Sequence, residues 1–163
     1  MENKDRAKFF NHRKIIGIDP GEAGGISVYS CDDKKIIEVV KMPETPRELL
    51  AFLKIYKNNS VCYLERVQGI PGNGAASMFN FGRGFGHLEM ALLALSIPFS
   101  VITPQKWQKT LQLGHKGSKT TSQWKNKLKQ RAQELYPGVK ITLNVSDSLL
   151  IVEYGRLTEG SKL

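Results

Sequence analysis

Two carboxylates in this chain stand where an apolar run breaks off. Asp19 follows Ile15-Ile16-Gly17-Ile18 and precedes Pro20-Gly21, while Glu65 follows Val61-Cys62-Tyr63-Leu64 and precedes Arg66. An acid at the mouth of a buried strand is costly to desolvate unless something cationic is bound beside it. The chain has three His and two Cys, so the cation that suits it is a hard metal ion with oxygen ligands. The plainer alternative is that Asp19 only opens an Asx turn, because Asp-Pro-Gly is turn-forming by itself.

The intervening elements decide whether the two acids can meet. Gly24-Gly25 followed by Ile26, Val28 and Tyr29 reads as the return strand of a hairpin, and Lys35 to Met42 as a third strand. Pro46 opens a helix with Leu49, Leu50, Leu53 and Tyr56 at helical spacing, which Asn58-Asn59 ends. The nearly continuous run from Ser60 to Leu64 suits a strand covered on both faces and able to lie parallel to the first. The pattern is α/β, with both acids at one edge of the sheet.

Past Glu65, residues 68–76 hold too many Gly and Pro for a regular element and predict a flexible loop. A long helix follows from Ser77, with a core stripe of Phe81, Phe85, Leu88, Leu92 and Leu95. Gly82, Gly84 and Gly86 thin its first half, either to admit another backbone closely or to give a late, irregular start. Phe99 to Ile102 reads as a short strand, and Pro104 opens a helical turn holding Lys106 and Trp107. Leu113 to Lys119 is a basic loop. It leads into a helix whose apolar positions (Trp124, Leu128, Ala132, Leu135) alternate with Lys125, Lys127, Lys129 and Arg131. Such a run is ordinarily a solvated face, but its continuity with a basic loop makes phosphate binding at least as favoured. Pro137-Gly138 stops that helix. The last one begins near Asn144-Val145-Ser146-Asp147 and is expected to bury Leu150, Tyr154 and Leu157.

At 163 residues the chain suits one domain with a proper core. We expect a polar tail over 1–14, a single domain over 15–158 and a short tail over 159–163. The net charge of +9 and pI near 9.6 favour a polyanionic partner such as nucleic acid. Cys31 and Cys62 lie far apart without a CxxC pattern, which indicates neither a zinc site nor a disulfide framework. No membrane-length apolar run or signal-peptide segment is present in the sequence, so an intracellular location, cytoplasmic or nucleoid-associated, is expected. The terminal Ser161-Lys162-Leu163 spells a peroxisomal address, a tripeptide too short to carry weight.

Asp19 in Gly-Ile-Asp-Pro-Gly, Glu65 after its apolar strand, and Asp147 opening Ser146-Asp147-Ser148-Leu149-Leu150-Ile151 together resemble the RuvC family of Holliday-junction resolvases. The resemblance spans about Ile15 to Arg156. Phe81-Gly82-Arg83-Gly84-Phe85-Gly86 and Pro104-Gln105-Lys106-Trp107 look closer to the phage and plastid-type branch. It implies a ribonuclease H-like fold, a mixed five-stranded sheet flanked by helices. The implied activity is that of a crossover junction endodeoxyribonuclease acting in DNA recombination and repair, as a homodimer on branched DNA.

The resemblance further implies that Asp19, Glu65 and Asp147, with Asn144 in the fourth place, bind two Mg2+ or Mn2+ ions about 4 Å apart. One departure stands out: the family has two acids three residues apart here, and this chain has Asn144 three before Asp147. On a helix those positions share a face, so Asn144 can offer an oxygen without a charge. The plainer role for Asn144 or Asp147 is a helix cap. Lys116 and Lys119 fall where the family carries basic residues near the scissile phosphate, to steady the transition state or clamp the DNA backbone. Arg66, Gln68, Asn73, Arg83, Lys106 and Lys125 are the further DNA contacts implied. The helix from Ser77 is the candidate dimer interface. Two rival readings remain: a branched-DNA-binding protein that does not cut, and an actin-like phosphotransferase, the latter disfavoured because the chain has no second phosphate loop.

Overall fold

Gly17 explains how the molecule is put together. In the computed structural model, which describes residues 14–67 and 74–160, a Cβ at Gly17 would lie 2.4 Å from the Ser148 carbonyl oxygen and 2.7 Å from the Val152 nitrogen. The last helix therefore rests directly on the first strand, and only glycine leaves it room. Gly155 repeats the arrangement one layer on, its missing Cβ falling within 2.8 Å of Tyr63 and Ile15 side-chain atoms.

The strands are β1 (Lys14–Asp19), β2 (Gly25–Ser30), β3 (Lys35–Lys41), β4 (Ser60–Glu65) and β5 (Phe99–Ile102). They form one sheet in the order β3-β2-β1-β4-β5. β1, β2 and β3 pair antiparallel as a meander, while β4 runs parallel to β1 and β5 parallel to β4. The helices are α1 (Pro46–Ile55), α2 (Ala75–Ala94), α3 (Pro104–Thr110), α4 (Thr121–Leu135) and α5 (Ser146–Gly160). This is the mixed five-stranded α/β sheet expected from the sequence.

Alternation along the central strands sends side chains to two cores. Ile16, Ile18, Cys62 and Leu64 face Leu49 and Leu53 of α1 and Leu88 and Leu92 of α2. Ile15, Val61 and Tyr63 face Trp107 of α3, Leu128 of α4 and Leu149 to Val152 of α5. α5 is buried on nearly all sides from Ser146 to Gly155, and even its Ser148 is satisfied inside the fold, 2.7 Å from the Ser27 hydroxyl.

Several expectations shift. α2 begins at Ala75 and not at Ser77, and α5 begins at Ser146 and not near Asn144, because a turn precedes it in which Val145 and Ser146 both donate to the Thr142 carbonyl. Leu157 is 39% exposed and not in the core, because it lies on the outer side of α5, whose inner side still meets the sheet where the Tyr63 hydroxyl donates to the buried Glu159. β1 includes Lys14 and α5 reaches Gly160, so regular structure extends slightly past the 15–158 range. A Cβ at Gly82, Gly84 or Gly86 would meet nothing within 4 Å, so no described part of the chain makes a close approach there. Gln68, Asn73 and residues 68–73 of the expected loop lie outside the described residues. No helix among the described residues is long and apolar enough to cross a membrane.

Candidate active site

Asp19 and Glu65 are neighbours because β1 and β4 are parallel and in register: Ile18 pairs with Leu64, and each acid is the next residue along. Alternation puts both on the face that carries Ile15, Gly17, Val61 and Tyr63, the face covered by α3, α4 and α5. Beyond Asp19 the chain turns at once. Gly21 has φ of 103°, and a Cβ at Gly24 would collide with the Asp19 carbonyl, so both positions require glycine. The Gly24 amide closes the turn on the Gly21 carbonyl.

Asp147 joins them from above. It lies in the first turn of α5, where the helix N-terminus favours a negative charge, and accepts a 3.1 Å hydrogen bond from the Ser146 hydroxyl. The close seating of α5 on Gly17 sets its height over the sheet. Asp19 and Asp147 are both buried, and Glu65 is half-buried.

Burial and mutual repulsion dominate the electrostatics of this cluster. Asp19 is held well above the usual carboxylate range, first by desolvation, then by the Asp147 and Glu65 charges, with Lys125 opposing. Burial pushes Glu65 up to about 7, an effect partly offset by its hydrogen bond from Trp107 and increased by Asp147. The Trp107 indole nitrogen donates to Glu65 Oε2 at 2.7 Å, and the ring itself is fully buried.

Two residues in this site had other expected roles. Lys125, expected as a DNA contact, reaches from the second turn of α4 to Asp147 Oδ2 at 2.5 Å. Burial lowers its proton affinity, but Asp147, Asp19 and Glu65 together outweigh this and hold it above the ordinary lysine range. Trp107 was legible as a helical residue, but nothing in the sequence showed its indole aimed at an acid forty-two positions away.

The contacts seen for the other expected site residues are with groups other than the acids. Asn144 precedes α5, so it shares no helix face with Asp147; its Nδ2 donates to the Ala23 carbonyl at 3.0 Å and ties the α5 approach to the β1–β2 turn. Lys116 donates to the Thr121 hydroxyl at 2.9 Å, and Lys119 lies in the same exposed loop, its amide bonded to the Lys116 carbonyl. Arg66 and Lys106 are exposed just past β4 and in α3, and the Arg83 guanidinium sits 5.9 Å over the Phe79 ring on α2.

The donor chemistry fits a hard divalent cation: buried carboxylates such as Asp19 and Glu65, held above their usual range by burial and by neighbouring acids, are what such an ion relieves. As the side chains stand, no three acid, imidazole or thiol groups among the described residues converge tightly enough to hold an ion, and the Lys125 ammonium satisfies Asp147 instead.

No family model and no curated protein matches this sequence. The fold does have solved counterparts. A Thermus thermophilus RuvC structure superposes with a TM-score of 0.62 at 17% identity, covering 91% of this chain and 96% of that one. T. thermophilus RuvC in complex with Holliday junction substrate gives a TM-score of 0.62 at 14% identity, covering 92% and 96%. With the same mixed sheet, flanking helices and near-complete mutual coverage, the chain has a RuvC-like, ribonuclease H-like fold.

Proposed function

We propose that this chain is a structure-selective endodeoxyribonuclease that resolves four-way DNA junctions by paired, metal-dependent nicks. One observation carries the reading: Asp19 and Glu65 end neighbouring parallel strands of a RuvC-like sheet, and Asp147 opens the helix packed over that face. That a structural neighbour is RuvC in complex with Holliday junction substrate supports branched DNA as the substrate, as does the +9 charge.

In this reading Asp19, Glu65 and Asp147 would hold the ions, with Asn144, whose Nδ2 is tied to the Ala23 carbonyl, as a neutral fourth donor. Mg2+ or Mn2+ held there would supply an activated water and charge neutralisation at the leaving 3′ oxygen, and the expected product ends are a 5′-phosphate and a 3′-hydroxyl. The chain's own residues do the positioning. Trp107 fixes the Glu65 rotamer through its indole donor, and the Gly17–α5 contact fixes Asp147. Lys116 and Lys119, on the exposed loop before α4, offer positive charge to the scissile phosphate. Arg66, Gln68, Asn73, Arg83 and Lys106 contribute contacts to the DNA backbone.

Symmetric cutting of a junction needs one site per chain in a homodimer. α2 supplies the candidate interface, with Gly82, Gly84 and Gly86 open and Phe79 68% exposed. A second reading, junction binding without cutting, is favoured by Lys125 lying on Asp147 and by Asn144 standing where the family has an acid. Incubation of a synthetic four-way junction with the chain in Mn2+ separates the two: symmetric nicks support the nuclease, and a shifted but intact junction supports the binder.

A further inference from the structure

The backbone that carries Lys125 is fixed. α4 starts with a capping box between Thr120 and Gln123 and is anchored by Trp124, Leu128 and Ala132, all buried. From this platform the Lys125 side chain runs inward until its ammonium meets Asp147 Oδ2. Three carboxylates face it, those of Asp147, Asp19 and Glu65, and among the described residues Lys125 is the cation that all three feel.

The two partners differ in exposure. The Asp147 side chain is 7% exposed and that of Lys125 38%, so the acid cannot leave the site and the ammonium can. The contrast with the other buried ion pair is instructive. Arg156 grips Glu153 through two parallel bonds of 2.8 and 2.7 Å, and Tyr136 binds the same carboxylate, a locked structural pair. Among the described residues Lys125 makes one hydrogen bond, through a rotatable head on a flexible stem. A divalent cation entering the cluster needs the Asp147 oxygen that this ammonium occupies, and two cations at hydrogen-bonding distance of one oxygen repel.

We propose that Lys125 is the internal counter-ion of the acidic cluster, holding Asp147 in the metal-free chain and released from it when a divalent cation enters. Once released at the mouth of the site, the ammonium is free to meet a DNA phosphate. This rests on the metal site of the proposed function. It adds that the chain carries its own competitor for the ion, which keeps the acids together between catalytic cycles.

The test is Lys125→Met, which keeps the stem and removes the charge. Mn2+ binding is measured by titration calorimetry, and thermal midpoints are measured in chelator and in saturating Mn2+. We expect the variant to bind Mn2+ about tenfold more tightly than the parent chain, because a competing charge is gone. Its midpoint in chelator should fall below that of the parent, and Mn2+ should close the gap. Lys125→Arg should bind Mn2+ more weakly than the parent, because a guanidinium fork holds Asp147 harder. If Lys125→Met folds and binds Mn2+ no more tightly, the counter-ion role is overturned while the metal site stands. If the parent chain binds no Mn2+ at all, the metal site falls and the counter-ion role with it. Should Lys125→Met not fold, Lys125→Arg decides, and Mn2+ affinity equal to the parent's overturns the proposal.

Discussion

Gly17 of β1 and Ser148 of α5 are in backbone contact, with no room for a methyl group between them. The same α5 turn carries Asp147, so packing and chemistry share one contact. Gly17→Ala must push α5 outward. Overpacking of this kind costs about 1–3 kcal/mol, which urea unfolding will read as a lowered midpoint. Mn2+ affinity should fall alongside. A variant as stable as the parent would mean that α5 is seated less tightly than the contact implies.

Asp19→Asn separates catalysis from binding and from stability. It should abolish Mn2+-dependent nicking while leaving junction affinity in gel shifts largely intact, because in the proposed function the carboxylate serves an ion and not the phosphates. The same change should raise the thermal midpoint at pH 7 in chelator. Asp19 has its proton affinity raised by burial and by two like charges, so its ionised form opposes folding at that pH. Unchanged nicking would remove Asp19 from the site.

Glu65 sets a pH window. Its folded value is raised from 4.5 to about 7, so its contribution to metal-free stability is full below about 4.5 and is lost as pH rises through about 7. Metal affinity should run the other way, rising over that interval as the carboxylate ionises. Trp107→Phe removes the donor that favours the ionised form. The midpoint of Mn2+ binding against pH should then move upward, a change that a purely structural Trp107 would not cause.

Asn144→Asp carries two opposed effects that separate assays resolve. A fourth carboxylate should tighten Mg2+ binding and speed junction nicking by about tenfold, equivalent to about 1.4 kcal/mol. It also loses the Nδ2 donor to the Ala23 carbonyl, a cost to stability of about 1 kcal/mol. Equal nicking by both chains would make Asn144 a tie for the turn and nothing more.

Junction affinity should fall steeply with salt, as each neutralised phosphate releases counterions. Titrations between about 50 and 200 mM salt give the slope. A flat response would make the +9 charge incidental.

The sheet was legible because its strands are apolar runs cut by glycine and proline. The meeting of Asp19 and Glu65 followed from parallel pairing of two such runs. The start of α5 was not legible, since Asn144, Ser146 and Asp147 are all plausible caps, and only the turn onto Thr142 decides. Lys125 was hidden among Lys127, Lys129 and Arg131, whose charges look alike along the sequence. What distinguishes it is its position on α4 beside the core-facing Trp124, which brings it toward α5. Gly17 was legible only as part of the Gly-Ile-Asp-Pro-Gly motif and Gly155 not at all, because the need for glycine there comes from a helix more than a hundred residues away in one case and from β1 and β4 in the other.

The burial of α5 has a consequence for how this protein comes into being. The helix that fills the centre of one core is also the one that delivers Asp147, and it is the last regular element in the described chain. A nascent chain that has made β1 through α4 therefore owns two of its acids and the core on the α1–α2 side, but neither the other core nor Asp147. If Asp147 is a metal ligand as proposed, competence to take up metal waits for α5 to dock, so Mn2+ binding during refolding should keep time with the appearance of the native state and never run ahead of it.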